Sequence, residues 1–139
     1  MKKALYFLIA LLAFTACKSQ LTTKTVKMPP AAFSNTRSIE ISKVTLSDSL
    51  TVLDVNAFYI PKLWIRIASD SYLQADGKKY MIRSGEGIDL DSLFYMPKTA
   101  KASFKLLFEP LPLNTETFDF IESDCRDCFK VWGIDLVNK

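Results

Sequence analysis

Histidine is absent from the 139 residues. The commonest general base near neutral pH and the commonest metal ligand are therefore missing together. There is no Gly-rich phosphate loop, no serine elbow and no Walker sequence. That removes the usual routes to nucleotide binding and serine hydrolysis. No apolar run is long enough to cross a bilayer, which takes roughly 20 residues. A strong excess of one charge is missing too. Lys2 and Lys3 sit at the extreme N-terminus, and without them the 18 basic residues fall to near parity with the 15 acidic ones. Such a balance gives no electrostatic reason to expect a nucleic-acid partner. No internal repeat is present, and no low-complexity tract outside residues 18–36.

What is present begins with a leader. Met1-Lys2-Lys3 is a short positive start, and Ala4 to Ala13 is an apolar stretch. Phe14-Thr15-Ala16 leads through small residues to Cys17. This is the layout of a secretory signal peptide. Phe14-Thr15-Ala16-Cys17 resembles a lipobox, with Phe14 where Leu is usual. The resemblance implies cleavage after residue 16 and an acylated Cys17 anchored in membrane lipid. Stable anchoring takes two acyl chains or more, since one gives only marginal binding. Residues 17–36, rich in Lys, Ser and Thr around Pro29-Pro30, read as a lipidated N-terminus and flexible tether. No acidic residue lies between Cys17 and Glu40. The surface-export signals of Bacteroidota lipoproteins are typically acidic there, so the expected location is the cell envelope, facing the periplasm.

From Arg37 onward the apolar pattern has period two. Ile65 and Ile67 alternate with Trp64 and Arg66, and Phe104, Leu106 and Phe108 with Lys105 and Leu107. Phe118 and Phe120 alternate with Asp119, and Phe129 and Val131 with Lys130. Alternation of this kind puts one set of side chains on one face of a sheet. It predicts strands near 37–46, 50–59, 63–68, 71–75, 79–84, 104–109, 117–122 and 129–136. Asp76-Gly77 between two alternating runs predicts a tight hairpin, because a type I′ turn needs positive φ at both central residues. Residues 85–103 read as a long connection with one helical turn near Asp91-Ser92-Leu93. The expected fold is all-β: an Ig-like antiparallel sandwich of about seven to eight strands over 37–139, folding without the tether. The chain has 10 Phe, 5 Tyr and 2 Trp, enough bulk for its core.

Cys125-Arg126-Asp127-Cys128 is the one motif that could carry chemistry. With Cys17 taken by lipid, these two cysteines form an even set in an oxidising compartment. Residues i and i+3 of a tight turn lie close enough for a disulfide. A structural bridge is the leading reading. Free thiols, a redox pair and a metal site are the others, the last short of ligands without histidine. No cofactor and no metal are expected. Glu86, Asp89 and Asp91 cluster in the long connection, and Asp119, Glu122, Asp124 and Asp127 around the last hairpin. Both groups read as solvated loops. Phe58-Tyr59-Ile60-Pro61-Lys62-Leu63-Trp64 could be an aromatic binding platform. If it is extended, at least half of it must face the core.

Three stretches together, Trp64 to Tyr72, Leu107-Phe108-Glu109-Pro110-Leu111-Pro112, and Phe118 to Glu122 followed by Phe129 to Ile134, resemble the N-terminal β-sandwich region of Bacteroidota lipoproteins of the TlpA-like thioredoxin family. In that family the region lies between a lipid anchor and a thioredoxin domain. The family's catalytic Trp-Cys-x-x-Cys would fall downstream of the last strand. No residue here matches it, and Cys125 and Cys128 occupy the last hairpin instead. The resemblance therefore implies an envelope-anchored, non-catalytic accessory or interaction domain. The alternative is a component of a periplasmic thiol-disulfide system, acting through Cys125/Cys128 or a separately encoded thioredoxin-like partner.

Overall fold

The computed structural model describes residues 22–137. The expected signal peptide of 1–16 and the lipidation site Cys17 lie outside the described residues. Eleven strands follow in order: β1 (Lys24–Lys27), β2 (Ala31–Ser34), β3 (Ile39–Leu46), β4 (Thr51–Phe58), β5 (Trp64–Ile65), β6 (Tyr72–Ala75), β7 (Lys78–Glu86), β8 (Phe94–Tyr95), β9 (Lys101–Phe108), β10 (Thr117–Ile121) and β11 (Lys130–Asp135). No helix occurs among the described residues. The helical turn expected near Asp91 is instead a kink in which Asp91 takes φ 60°.

Nine strands pair antiparallel in the order β1-β3-β4-β9-β7-β6-β10-β11-β2, and β5 pairs with β8 in a separate small sheet. The large sheet is curled. Strand β7 serves both halves: its first residues pair with β6 and its last with β9. A bulge between Ile82 and Ser84 falls at the changeover. Bulges sharpen local twist and bend a strand, which is what such a corner needs. Phe108 of β9 and Phe120 of β10 are not neighbours in the sheet. Their rings nevertheless meet edge to face, 6.1 Å apart across the interior. The alternating positions Phe104, Leu106 and Phe108, with Phe118 and Phe120, are all buried. Each such side chain contributes about 1.5–3 kcal/mol by leaving water. Asp76 and Gly77 take φ 49° and 75° between β6 and β7, the hairpin the Asp-Gly pair called for.

The eight sequence-predicted strands are present as β3–β7 and β9–β11. The extra three, β1, β2 and β8, have two to four residues each, too short to show a period. Two of them overturn the tether reading. Residues 24–27 and 31–34 are the edge strands of the large sheet, β1 against β3 and β2 against β11. Backbone groups on β3 and β11 need partners, and a strand can supply them with almost no apolar pattern of its own. Only Val26 of β1 is buried, and β2 is exposed throughout. Met28, at φ 48°, with Pro29 and Pro30 carries the chain from one edge to the other. The Met28 N–H donates to Ser42 at 2.8 Å, and the Asp135 N–H to the Pro30 carbonyl at 2.8 Å.

Candidate functional site

At one end of the large sheet, the β10–β11 loop and the chain on either side of β5 enclose a cleft of about 500 Å³. Tyr59, Trp64 and Arg66 line it on one side, Glu122, Cys125 and Cys128 on the other. Glu122 follows directly on β10. Phe118, Phe120 and Glu122 alternate along one face, so the glutamate inherits the core-facing side of the strand. It is only 6% exposed. Its Oε2 is buried and has no hydrogen-bond donor among the described residues. The reading of Glu122 as solvated is thus corrected: the strand register carries it inward.

Burial pushes the Glu122 carboxyl up to about 7. The Arg66 guanidinium opposes the shift, while Asp70 and Asp91 reinforce it. Arg66 is itself held at the rim by Asp91, 3.1 Å from its Nη2. Asp91 also accepts the Ser69 N–H at 2.9 Å. The bonds from Ser69, with Arg66 beside them, keep Asp91 below its usual range.

Cys125 and Cys128 form a disulfide, with Cα atoms 5.3 Å apart. The loop that carries it is fastened at several points. The Glu122 N–H donates to the Phe129 carbonyl at 2.8 Å. Asn35, just after β2, donates through Nδ2 to the Cys128 carbonyl and accepts the Lys130 N–H, both at 2.9 Å. The Tyr72 hydroxyl donates to Asp124 at 2.7 Å, and this bond, with burial, pushes the phenol up to about 12. Ser123 donates to Asp70 at 3.0 Å. A carboxylate oxygen of Glu122 and the sulfurs of Cys125 and Cys128 all lie within 4.8 Å of one another. They form a possible donor set for a cation.

The other carboxylates are dispersed. Glu86 and Asp89 are exposed. Asp119 accepts the Gly133 N–H at 2.9 Å where a bulge interrupts the β10–β11 ladder. Of the expected acidic clusters, Glu122 and Asp127 line the cleft, and Asp91 pairs with Arg66 at its rim. The aromatic segment departs from expectation in the opposite direction. Phe58, Tyr59, Ile60, Leu63 and Trp64 are all exposed. Strand β4 ends at Phe58, so the alternation that would bury half of the segment does not extend through it. Trp64 lies opposite Tyr95 in the small sheet, and both are exposed. An apolar ledge therefore runs up to the mouth of the cleft.

No protein-family model matches the chain, and neither does a curated protein or a solved structure.

Proposed function

We propose that this chain is an envelope-anchored lipoprotein whose β-domain is a non-catalytic interaction module, held in membrane lipid by acylated Cys17 and facing the periplasm. We read the curled sheet as an Ig-like sandwich hinged on β7. One observation carries the reading: the exposed ledge of Tyr59, Leu63, Trp64 and Tyr95 abuts a cleft with a charged floor. Apolar patches rimmed by polar groups mark interaction sites on small domains, and aromatic residues dominate binding energy there. A protein partner would lay an aromatic or aliphatic anchor on the ledge and a polar group toward Arg66. The test is a photo-crosslinking residue at position 64 in intact cells, with one at Asp48, in the exposed turn at the far end of β4 from Phe58, as the remote control. A partner captured at 64 but not at 48, and lost in Tyr59→Ala/Tyr95→Ala, supports the reading. Equal labelling at both positions contradicts it. Intact mass of the purified protein tests the acylated Cys17.

One observation favours a second reading, a component of a thiol-disulfide system with a thioredoxin-like partner. The disulfide lines the same cleft as an ionisable buried glutamate. Turnover in a disulfide-reduction assay, abolished by Cys125→Ser, would select it over the first.

A further inference from the structure

The disulfide and the glutamate beside it have a use that neither reading above employs. We infer that the reduced chain holds one zinc-class cation between the Cys125 and Cys128 thiolates and the Glu122 carboxylate, so that breaking the bridge turns a closed loop into a metal site. The inference does not rest on the interaction or thiol-exchange readings.

Four observations carry it. The two cysteines are spaced as Cys-x-x-Cys, the common spacing of paired zinc ligands. Glu122 is more than nine-tenths buried, lines this cleft, and leaves its buried Oε2 without a donor among the described residues. A buried carboxylate oxygen without a partner is costly, and a cation is one of the few groups that satisfies it fully. The three donor atoms already lie within 4.8 Å of one another. Tetrahedral zinc, with bonds of about 2.3 Å to sulfur and 2.0–2.2 Å to oxygen, separates its ligands by less than that. Once the bridge breaks, the two sulfurs part to about 3.7 Å, as tetrahedral geometry requires, and the carboxylate closes on them by a small movement. Lastly, Asn35 and Tyr72 hold the loop from outside the ligand set.

The steps balance as follows. A dithiol reductant gives two electrons and two protons. The Cys125–Cys128 bond breaks, two thiols form, and the reductant leaves as a disulfide. The cation then binds as both thiol protons, and any proton on Glu122, pass to solvent. Two sulfurs and a carboxylate are a borderline-soft set that suits Zn²⁺ and excludes Ca²⁺ and Mg²⁺. Three anionic ligands around a divalent ion leave one negative charge, which the Arg66 guanidinium in the same cleft, shared with Asp91, offsets in part. The fourth position opens to the cleft and takes water. In the oxidised chain the sulfurs are bonded to each other and cannot ionise, so the site exists in one redox state only.

The test is titration of the full chain with Co²⁺, a spectroscopic substitute for Zn²⁺, after reduction and removal of the reductant. The expected result is a thiolate-to-cobalt charge-transfer band saturating at one ion per chain. Zn²⁺ should displace it, and the oxidised chain should lack it. Glu122→Gln, with its circular dichroism unchanged, should weaken Co²⁺ binding roughly tenfold or more, since even outer-shell partners of metals are worth that much. Asp48→Asn, in the exposed turn between β3 and β4, should leave it unchanged. A second measurement needs no variant: Zn²⁺ should protect both thiols of the reduced chain from alkylation. Any of three results would overturn the inference: no band in the reduced chain, saturation at one ion per two chains, or Glu122→Gln binding as tightly as the parent.

Discussion

The buried Ser71 hydroxyl lies 2.6 Å from the Ala68 carbonyl and 2.6 Å from the Glu122 carbonyl. One proton serves two acceptors, and it ties the turn before β6 to the residue that floors the cleft. Ser71→Ala takes this donor from the buried Glu122 carbonyl and leaves the Ala68 carbonyl with only the Ser71 N–H at 3.2 Å. The expected loss is about 1–3 kcal/mol. The urea midpoint should fall while the slope of the transition stays unchanged.

Glu122 makes stability depend on pH with a definite sign. Burial raises its folded-state value from 4.5 to about 7. Between those values the native chain binds more protons than the unfolded one. Stability is therefore greatest below the lower value and is lost as pH rises through the upper. The loss is at most about 3 kcal/mol. Asp70 and Asp91 add to it and Arg66 subtracts from it. Melting of the oxidised chain in chelator at pH 5 and pH 8 should show the decline, and Glu122→Gln should flatten it. A parent protein that gains stability over this range would contradict the assignment.

Cys125 and Cys128 should resist alkylation until reductant is added, because they are paired with each other. The bridge closes a very short loop. Its entropic contribution should therefore stay below the ~3 kcal/mol expected for 15 residues. Chemical denaturation of a Cys125→Ser/Cys128→Ser variant should show a loss within that bound.

The segment before Arg37 should matter more than a tether would. It buries Val26 against the core, stacks Phe33 on Trp132 at 5.4 Å, and supplies Asn35 to the disulfide loop. A chain beginning at Arg37 should lose about 3 kcal/mol or more relative to one beginning at Thr22. Gly133→Ala is a gentler version of the same lesion. Gly133 has φ 65°, and an added Cβ would stand 2.7 Å from that of Ala32. It should cost about 1–3 kcal/mol and raise protease sensitivity within 31–34.

The large strands were legible because long alternating runs report burial directly, as Phe104 to Phe108 and Phe118 to Phe120 do. Their ends were less so. The predicted strand 50–59 runs one residue past the end of β4, and reading Phe58 to Trp64 as extended, half of it in the core, hides the exposed ledge. At β10 the predicted strand, 117–122, already includes Glu122, but the glutamate reads as solvated from its residue type; its register with Phe118 and Phe120 turns it inward, and the floor of the cleft follows. Strands β1 and β2 left no trace, since their pairing is a matter of backbone groups. The partners of Arg66 and Asn35 lie 25 residues away or more, beyond any local pattern.

Both end strands of the large sheet belong to one short arm, residues 24–34. The molecule therefore does not have two separately guarded borders. If the arm lifts away, β3 and β11 are bared together, and the freed arm carries a matching strand for each. A second copy in the same condition offers the same pair of vacancies. Reciprocal exchange of arms would refill all four and yield an intertwined dimer, whereas head-to-tail exchange would run on into a filament. Lys24 and Lys27 beside the rigid Pro29-Pro30 make the arm a poor template for further strands. The weak point for self-association is thus the docking of a single segment rather than either border alone.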